Sequence, residues 1–145
     1  MQGMFGAASS LGYNKKGAAH DIYEGFVLTL LLKAADNLLW KWQLRDGNGN
    51  PTSHVLFRLG PGRLPSSKFT HILLTKQGKA DLEAHIGVKV IGKALYSKTK
   101  KKTSSSVVHE FDLLVLRSAV ANYCRGMGHD PHHSHVVMHA EAKYY

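Results

Sequence analysis

Cysteine is almost missing from this chain: Cys124 stands alone. One thiol cannot build a disulfide framework or a cysteine-based zinc site within the chain. That fits a reducing compartment. It leaves Cys124 as either a small buried or loop thiol or a catalytic nucleophile, the former preferred. Long apolar runs are missing too. The longest, 26–32, is interrupted by Thr29 and is far too short to span a bilayer. The opening stretch MQGMFGAASSLGYNKKG has no continuous apolar segment and its charges come late, which argues against a signal peptide. A soluble, cytoplasmic protein without a membrane partner is expected. Acids are scarce as well. Ten Asp and Glu stand against 19 Lys and Arg, a net charge of +9 with histidine neutral. Such an excess favours polyanionic partners, nucleic acid ahead of an anionic membrane surface.

What is present suffices for a core. The chain has 145 residues, 43% of them hydrophobic, which fits one folded domain. Residues 1–17 are rich in Gly, Ala and Ser and are expected to form a flexible arm, with a single domain over 18–145. From 18 to about 44 the pattern predicts a helix. Ile22, Phe26, Leu30 and Ala34 recur every fourth residue, and Val27, Leu31, Leu38 and Trp42 fill the adjacent stripe. The apolar face is wide, so the helix should be largely buried, with Trp40 and Trp42 as core residues. DGNGNP at 46–51 is a strong stop.

Strand signals follow at 54–59 and 69–75. The clearest is at 82–90, where Leu82, Ala84, Ile86, Val88 and Val90 alternate with Asp81, Glu83, His85, Gly87 and Lys89. That period predicts a strand with one buried face. A basic loop, SKTKKKTSSS at 97–106, leads to a fourth strand at 107–116. A short helix and a His/Gly/Pro-rich loop are expected before a fifth strand, HVVMHAEAKYY. The order implies an α/β (α+β) domain: an N-terminal buried helix followed by a central mixed β-sheet.

The last two strands carry acids where apolar residues are expected. Side chains two apart on a strand share a face. Glu110, Asp112, Leu114 and Leu116 therefore share one face of the fourth strand, opposite His109, Phe111, Leu113 and Val115. In the fifth, Val137, His139, Glu141, Lys143 and Tyr145 share a face. If the strands are neighbours and the charged faces coincide, Asp112, Glu141 and Lys143 converge. Convergent carboxylates near a core need a cation. They suit Mg²⁺, which takes few protein ligands and keeps waters for a phosphate substrate. A lysine alongside would stabilise developing negative charge or orient an attacking water.

HEFDLLVL followed by HAEAKYY resembles the PD-(D/E)XK nuclease superfamily, with its restriction-endonuclease-like core. The resemblance covers 82–145 best and 18–44 weakly. It implies that Asp112 and Glu141 bind Mg²⁺ or Mn²⁺, that the Ala142 carbonyl is a further ligand, and that Lys143 is the catalytic lysine. It also implies a site-facing Glu on the first helix, a position Glu24 could fill. Glu110 is either a second ligand or an exposed partner of a lysine, and His139 could line the cleft. Phe111 stands where the family's name has proline, and the 117–135 connection is long. The chain stops two residues after the lysine, where the family continues, so a fragment lacking the C-terminal part of the domain is expected.

The implied activity is hydrolysis of phosphodiester bonds, in DNA rather than RNA, by an endonuclease-like enzyme for which a homodimer is one open assembly. Lys98, Lys100, Lys101 and Lys102 would clamp phosphates without reading sequence. The alternative is a basic nucleic-acid-binding or assembly module without catalysis, its strand charges structural and Asp112 and Glu141 in cross-strand ion pairs. GHDPHHSHVVMH gathers His129, His132, His133, His135 and His139 with Asp130, a density at which imidazoles can take up Zn²⁺, Ni²⁺ or Cu²⁺. A loop broken by Gly and Pro gives no regular ligand spacing, and a polar loop is preferred to a built metal site.

Overall fold

The structure is a computed structural model that describes residues 15–56, 58, 62–64, 68–92 and 108–141, with the side chains of 15–21 excepted. It begins with helix α1, Lys15–Asn37, followed by strands β1 (Lys41–Arg45), β2 (His71–Thr75), β3 (Leu82–Ile91) and β4 (Val108–Arg117). Helix α2 spans Ser118–Met127, a 3-10 turn covers His133–His135, and strand β5 is Val136–Ala140. The strands form one sheet in the order β1-β2-β3-β4-β5. This is an α+β arrangement. Every pairing between these strands is antiparallel, where a mixed sheet was expected. Parallel contact is confined to two single bridges, Gly62↔Val88 and Ile91↔His132.

Helix α1 starts within the expected arm and ends seven residues short of the expected stop. Leu39 takes a left-handed φ of 58°, and Trp40 N–H returns to Ala35 O at 2.9 Å. The Lys76 ammonium caps Leu38 O at 2.7 Å. The following residues gain more as an edge strand. Lys41↔Thr75 through Arg45↔His71 pair with β2 in a continuous ladder. Trp42 and Leu44 alternate with Lys41, Gln43 and Arg45, a period that suits a half-buried sheet edge better than a helix end. Trp42 consequently lies on β1, 36% exposed, with its indole N–H donating to Asp36 Oδ1 at 3.0 Å. Trp40 packs at the edge of the core. The segment 54–56 pairs in no named strand, although Thr70 ties it back by accepting from Leu56 N–H at 2.9 Å.

The sheet is covered on both faces. On one, Leu28, Leu32 and Ala35 of α1 pack against Ile72, Leu74, Ala84, Ile86, Leu113 and Val115. On the other, Ala121 and Cys124 of α2 pack against Val88, Val90, Leu114, Leu116 and Leu64. The buried stripe of α1 is thus Glu24-Gly25-Leu28-Leu32-Ala35, and the expected Ile22-Phe26-Leu30 stripe is exposed. The two stripes differ by about half a turn, and only the sheet decides between them. β3, expected to bury one face, buries both: Glu83, Ala84, His85, Ile86, Gly87 and Val88 are all inside.

Gly87 is where β3 changes sides. Its φ is +60°, a region that favours glycine. Before it, Ala84 and Ile86 face α1; after it, Val88 and Val90 join the α2 side. Its neighbour β4 follows, since Phe111 packs with Leu114 and Leu116 rather than with Leu113 and Val115. A register irregularity where β5 meets Val115 and Leu116 likewise puts Val136 on the α2 side and Ala140 on the α1 side. Strict alternation along β4 and β5, the basis of the expected faces, is broken at these two places.

The helix register yields a paired test. Leu28→Ala should lower unfolding free energy by about 2–5 kcal/mol. Phe26→Ala should change it by less than about 0.5 kcal/mol, as exposed positions do. Urea denaturation of both variants checks this, and a larger loss at Phe26 would refute the assigned face.

Candidate functional site

Strand register places two of the expected acids. Ile86↔Leu113 and Val88↔Phe111 flank Gly87 and Asp112, which therefore stand across from one another. On the far side of β4 the last paired step is Leu113↔Ala140, and Asp112 and Glu141 are the next residue on each chain segment, beyond that ladder. Asp112 is half-buried and Glu141 exposed. From the α1 layer, Glu24, 4% exposed, brings Oε1 within 3.9 Å of where a Cβ on Gly87 would stand. Glu24 of α1 thus lies beside Gly87 of β3, with Asp112 next to it on β4.

The other expected residues divide. Glu110 stands across from Lys89, the lysine-partner position. His139 pairs with Leu114 on the α2 side, its ring 4.3 Å from that of Phe111. Ala142, Lys143 and the run Lys98, Lys100, Lys101 and Lys102 lie outside the described residues. In the histidine-rich loop, His132 caps the 3-10 turn and stacks near His133 at 4.1 Å. Among the described residues no group of three or more His, Cys, Asp or Glu is arranged to hold a metal ion. Cys124 is 2% exposed, and burial first of all pushes its thiol up, so it is a packing residue.

A second polar cluster was not expected. Glu83, 2% exposed on β3, receives Arg125 Nη1 at 2.7 Å and Nη2 at 2.9 Å, and the Ser118 hydroxyl at 2.7 Å. His85 Nε2 lies 3.1 Å from its Oε2, and His71 Nε2 3.8 Å away. An ionised carboxylate only accepts, so His85 donates through Nε2. Burial opposes the Glu83 charge more than any other single influence, but the bonds from His85, Arg125 and Ser118 together hold its carboxyl well below the usual range. Burial pushes His71 down to about 4, with Glu83 pulling the other way. His85 is lowered too, again by burial above all. The rings of His71 and His85 stack at 5.2 Å, and His71 pairs across β1 with Arg45.

Beside this cluster lies a small recess of about 10 Å³, room for one water, walled by Arg58, Phe69, Thr70, His71, His85 and Arg125. Arg58 is 6% exposed, its guanidinium 4.6 Å from the centre of the Phe69 ring. It runs between two glycines. A Cβ on Gly62 would collide with the guanidinium, and one on Gly87 would lie 3.5 Å from Arg58 Cβ. The buried Glu83 and His85 had one signal in the sequence, a period-two strand bounded by apolar neighbours on every side, which fits two buried faces as well as one.

No family model, no curated protein and no solved structure matches this chain.

The cluster sets two expectations. Folded-state values of Glu83, His71 and His85 all lie below their ordinary ones, so each contributes stability that is present at neutral pH and lost on acidification. The urea midpoint should hold above pH 7 and fall as pH drops from about 6.5 towards 4, as His71 and then Glu83 must take up protons. A midpoint flat across that window would overturn the buried neutral imidazoles. Glu83→Gln should cost about 3 kcal/mol at pH 7, measured the same way, because it leaves Arg125 without its anion.

Proposed function

We propose that this chain is a metal-dependent nuclease domain of the PD-(D/E)XK kind, hydrolysing phosphodiester bonds of nucleic acid, DNA in preference to RNA. The observation that supports the reading is the β4–β5 register, in which Asp112 and Glu141 are the residues next after the last pair, Leu113↔Ala140, together with the buried Glu24 beside Gly87. The net charge of +9 adds attraction for a polyanion. Asp112 and Glu141 would hold Mg²⁺ or Mn²⁺, joined by the Ala142 carbonyl as the resemblance implies. Such a cation, when bound, polarises a phosphoryl oxygen and acidifies a water. Lys143 follows Glu141 by two residues and would orient the attacking water and offset charge on the phosphate. Water would add to phosphorus in line and lose a proton to solvent, and the bond to the 3′-oxygen would break, that oxygen leaving as a hydroxyl with a proton from solvent. Glu24, buried beside Gly87, would act by positioning. The basic lysines at 98 and 100–102 would hold flanking phosphates.

A basic binding module without catalysis is the second reading. The half-buried Glu110 across from Lys89 favours it, since that pair is an ordinary cross-strand ion-pair position.

Labelled single- and double-stranded DNA and RNA, incubated with Mg²⁺ or Mn²⁺ and with EDTA, separate the two. Cutting should require metal and fall by about 100-fold or more in Asp112→Asn and in Lys143→Ala. Cutting that persists in Asp112→Asn, or tight binding without any cutting, would sink the nuclease.

A further inference from the structure

Helix α1 carries two apolar stripes, and the sheet uses one of them. Leu28, Leu32 and Ala35 are buried against β2, β3 and β4. On the opposite side Ile22, Phe26 and Leu30, spaced by four, are 70%, 58% and 50% exposed. Leu38 and Leu39, just past the helix end, are exposed too. The exposed positions from 22 to 30 carry no charge; Lys33 is the next that does. Thr29, on the flank of the stripe, turns its hydroxyl back to donate to Gly25 O at 2.8 Å, so it needs no water partner. At about 100 Å² each, half of what a large apolar side chain can bury, the five apolar residues offer about 500 Å². That is near the largest apolar patch a monomer usually leaves bare, and over half of the roughly 800 Å² that one partner gives a standard interface.

The charges of α1 favour one kind of partner. A helix is stabilised by acids at its start and bases at its end. α1 has no acid in its first turn and no base in its last. It opens instead on Lys15 and Lys16, and Asp36 stands in its last turn. Both ends therefore reinforce the charge that the helix dipole already puts there. A partner of a single sign, such as a nucleic acid or an anionic membrane, relieves one end and aggravates the other. A second α1 running antiparallel relieves both, because the lysine end of each helix comes beside the Asp36 end of the other.

We propose that this outer face of α1 is the interface of a symmetric, antiparallel dimer of this chain. Phe26 is the middle residue of Lys15–Asn37, so a two-fold axis at Phe26 overlaps the two helices along their whole length. Phe26 then meets its counterpart, and Ile22 comes level with the partner's Leu30. A shallow crossing of about 20° keeps the helix ends close enough for their charges to act. Such an interface uses the same patch on both copies and closes at two. The inference rests on α1 alone and not on the nuclease reading.

Sedimentation velocity of the full chain, from about 5 to 500 µM, tests the association, with a midpoint near about 10 µM expected for a small interface. The mass should rise from 16.0 kDa towards twice that value. Phe26→Asp and, independently, Leu30→Lys should each weaken association at least tenfold. Both positions are exposed, so circular dichroism should show both variants folded. Orientation is read from nitroxide labels on Asn37→Cys, the native Cys124 being buried. In the antiparallel pair the labels should lie about 30 Å or more apart, against roughly 10 Å in a parallel one. A chain that stays monomeric throughout, association that both variants leave unchanged, or the short label distance rules this dimer out. So does a monomer that instead binds phosphatidylserine–phosphatidylcholine vesicles and loses them on Phe26→Asp, which assigns the face to a membrane surface.

Discussion

A carboxylate buried in the middle strand of a sheet has to be compensated, and at Glu83 the compensation determines where α2 lies. Ser118 reaches it from the first residue of that helix and Arg125 from its last turn. Ser118 N–H also binds Asp81 O at 2.8 Å, so the helix start is fixed to the beginning of β3 by main chain and side chain together. With both ends anchored, Ala121 and Cys124 are pressed onto Leu114 and Leu116. The helix then stops at Gly128, whose φ of 66° closes it with bonds back to Arg125 and Cys124. The second core depends on a polar bond that a purely apolar account of the sheet would not include.

The same cluster divides the sheet chemically. On the α2 side near β2, cations and imidazoles crowd around one carboxylate. Towards the end of β5 the ladder with β4 closes at Leu113↔Ala140, away from that cluster.

Much of this was legible in the residues, and the failures have identifiable causes. The strands at 71–75, 82–91 and 108–117 announce themselves by β-branched and apolar content. The adjacency of the Asp112 and Glu141 strands follows from their order. Facing was not legible, because period two holds only while every residue stays in the β region, and Gly87 leaves it. The helix face failed for another reason. Residues 22–35 are apolar almost all round, so local pattern does not choose between Leu28 and Phe26, and the sheet does. Trp40 to Leu44 were lost to the helix by the same apolar continuity. Arg58 is buried against Gly62, Phe69 and the sequence-distant Gly87, a contact that no local pattern announces.

Strand order has a consequence for assembly. Each strand of the sheet pairs with its neighbour along the chain, so every ladder joins consecutive strands. Loop closure grows only logarithmically with length, by about 0.6 kcal/mol per doubling, so the stretch between β3 and β4 adds little. Local topology of this kind favours rapid folding by successive addition of strands to an open edge. β5 comes after α2 and adds to β4, so the pairing of Ala140 with Leu113 belongs to the last step of such a sequence. A domain built this way has both of its helical layers available before the last strand closes the edge.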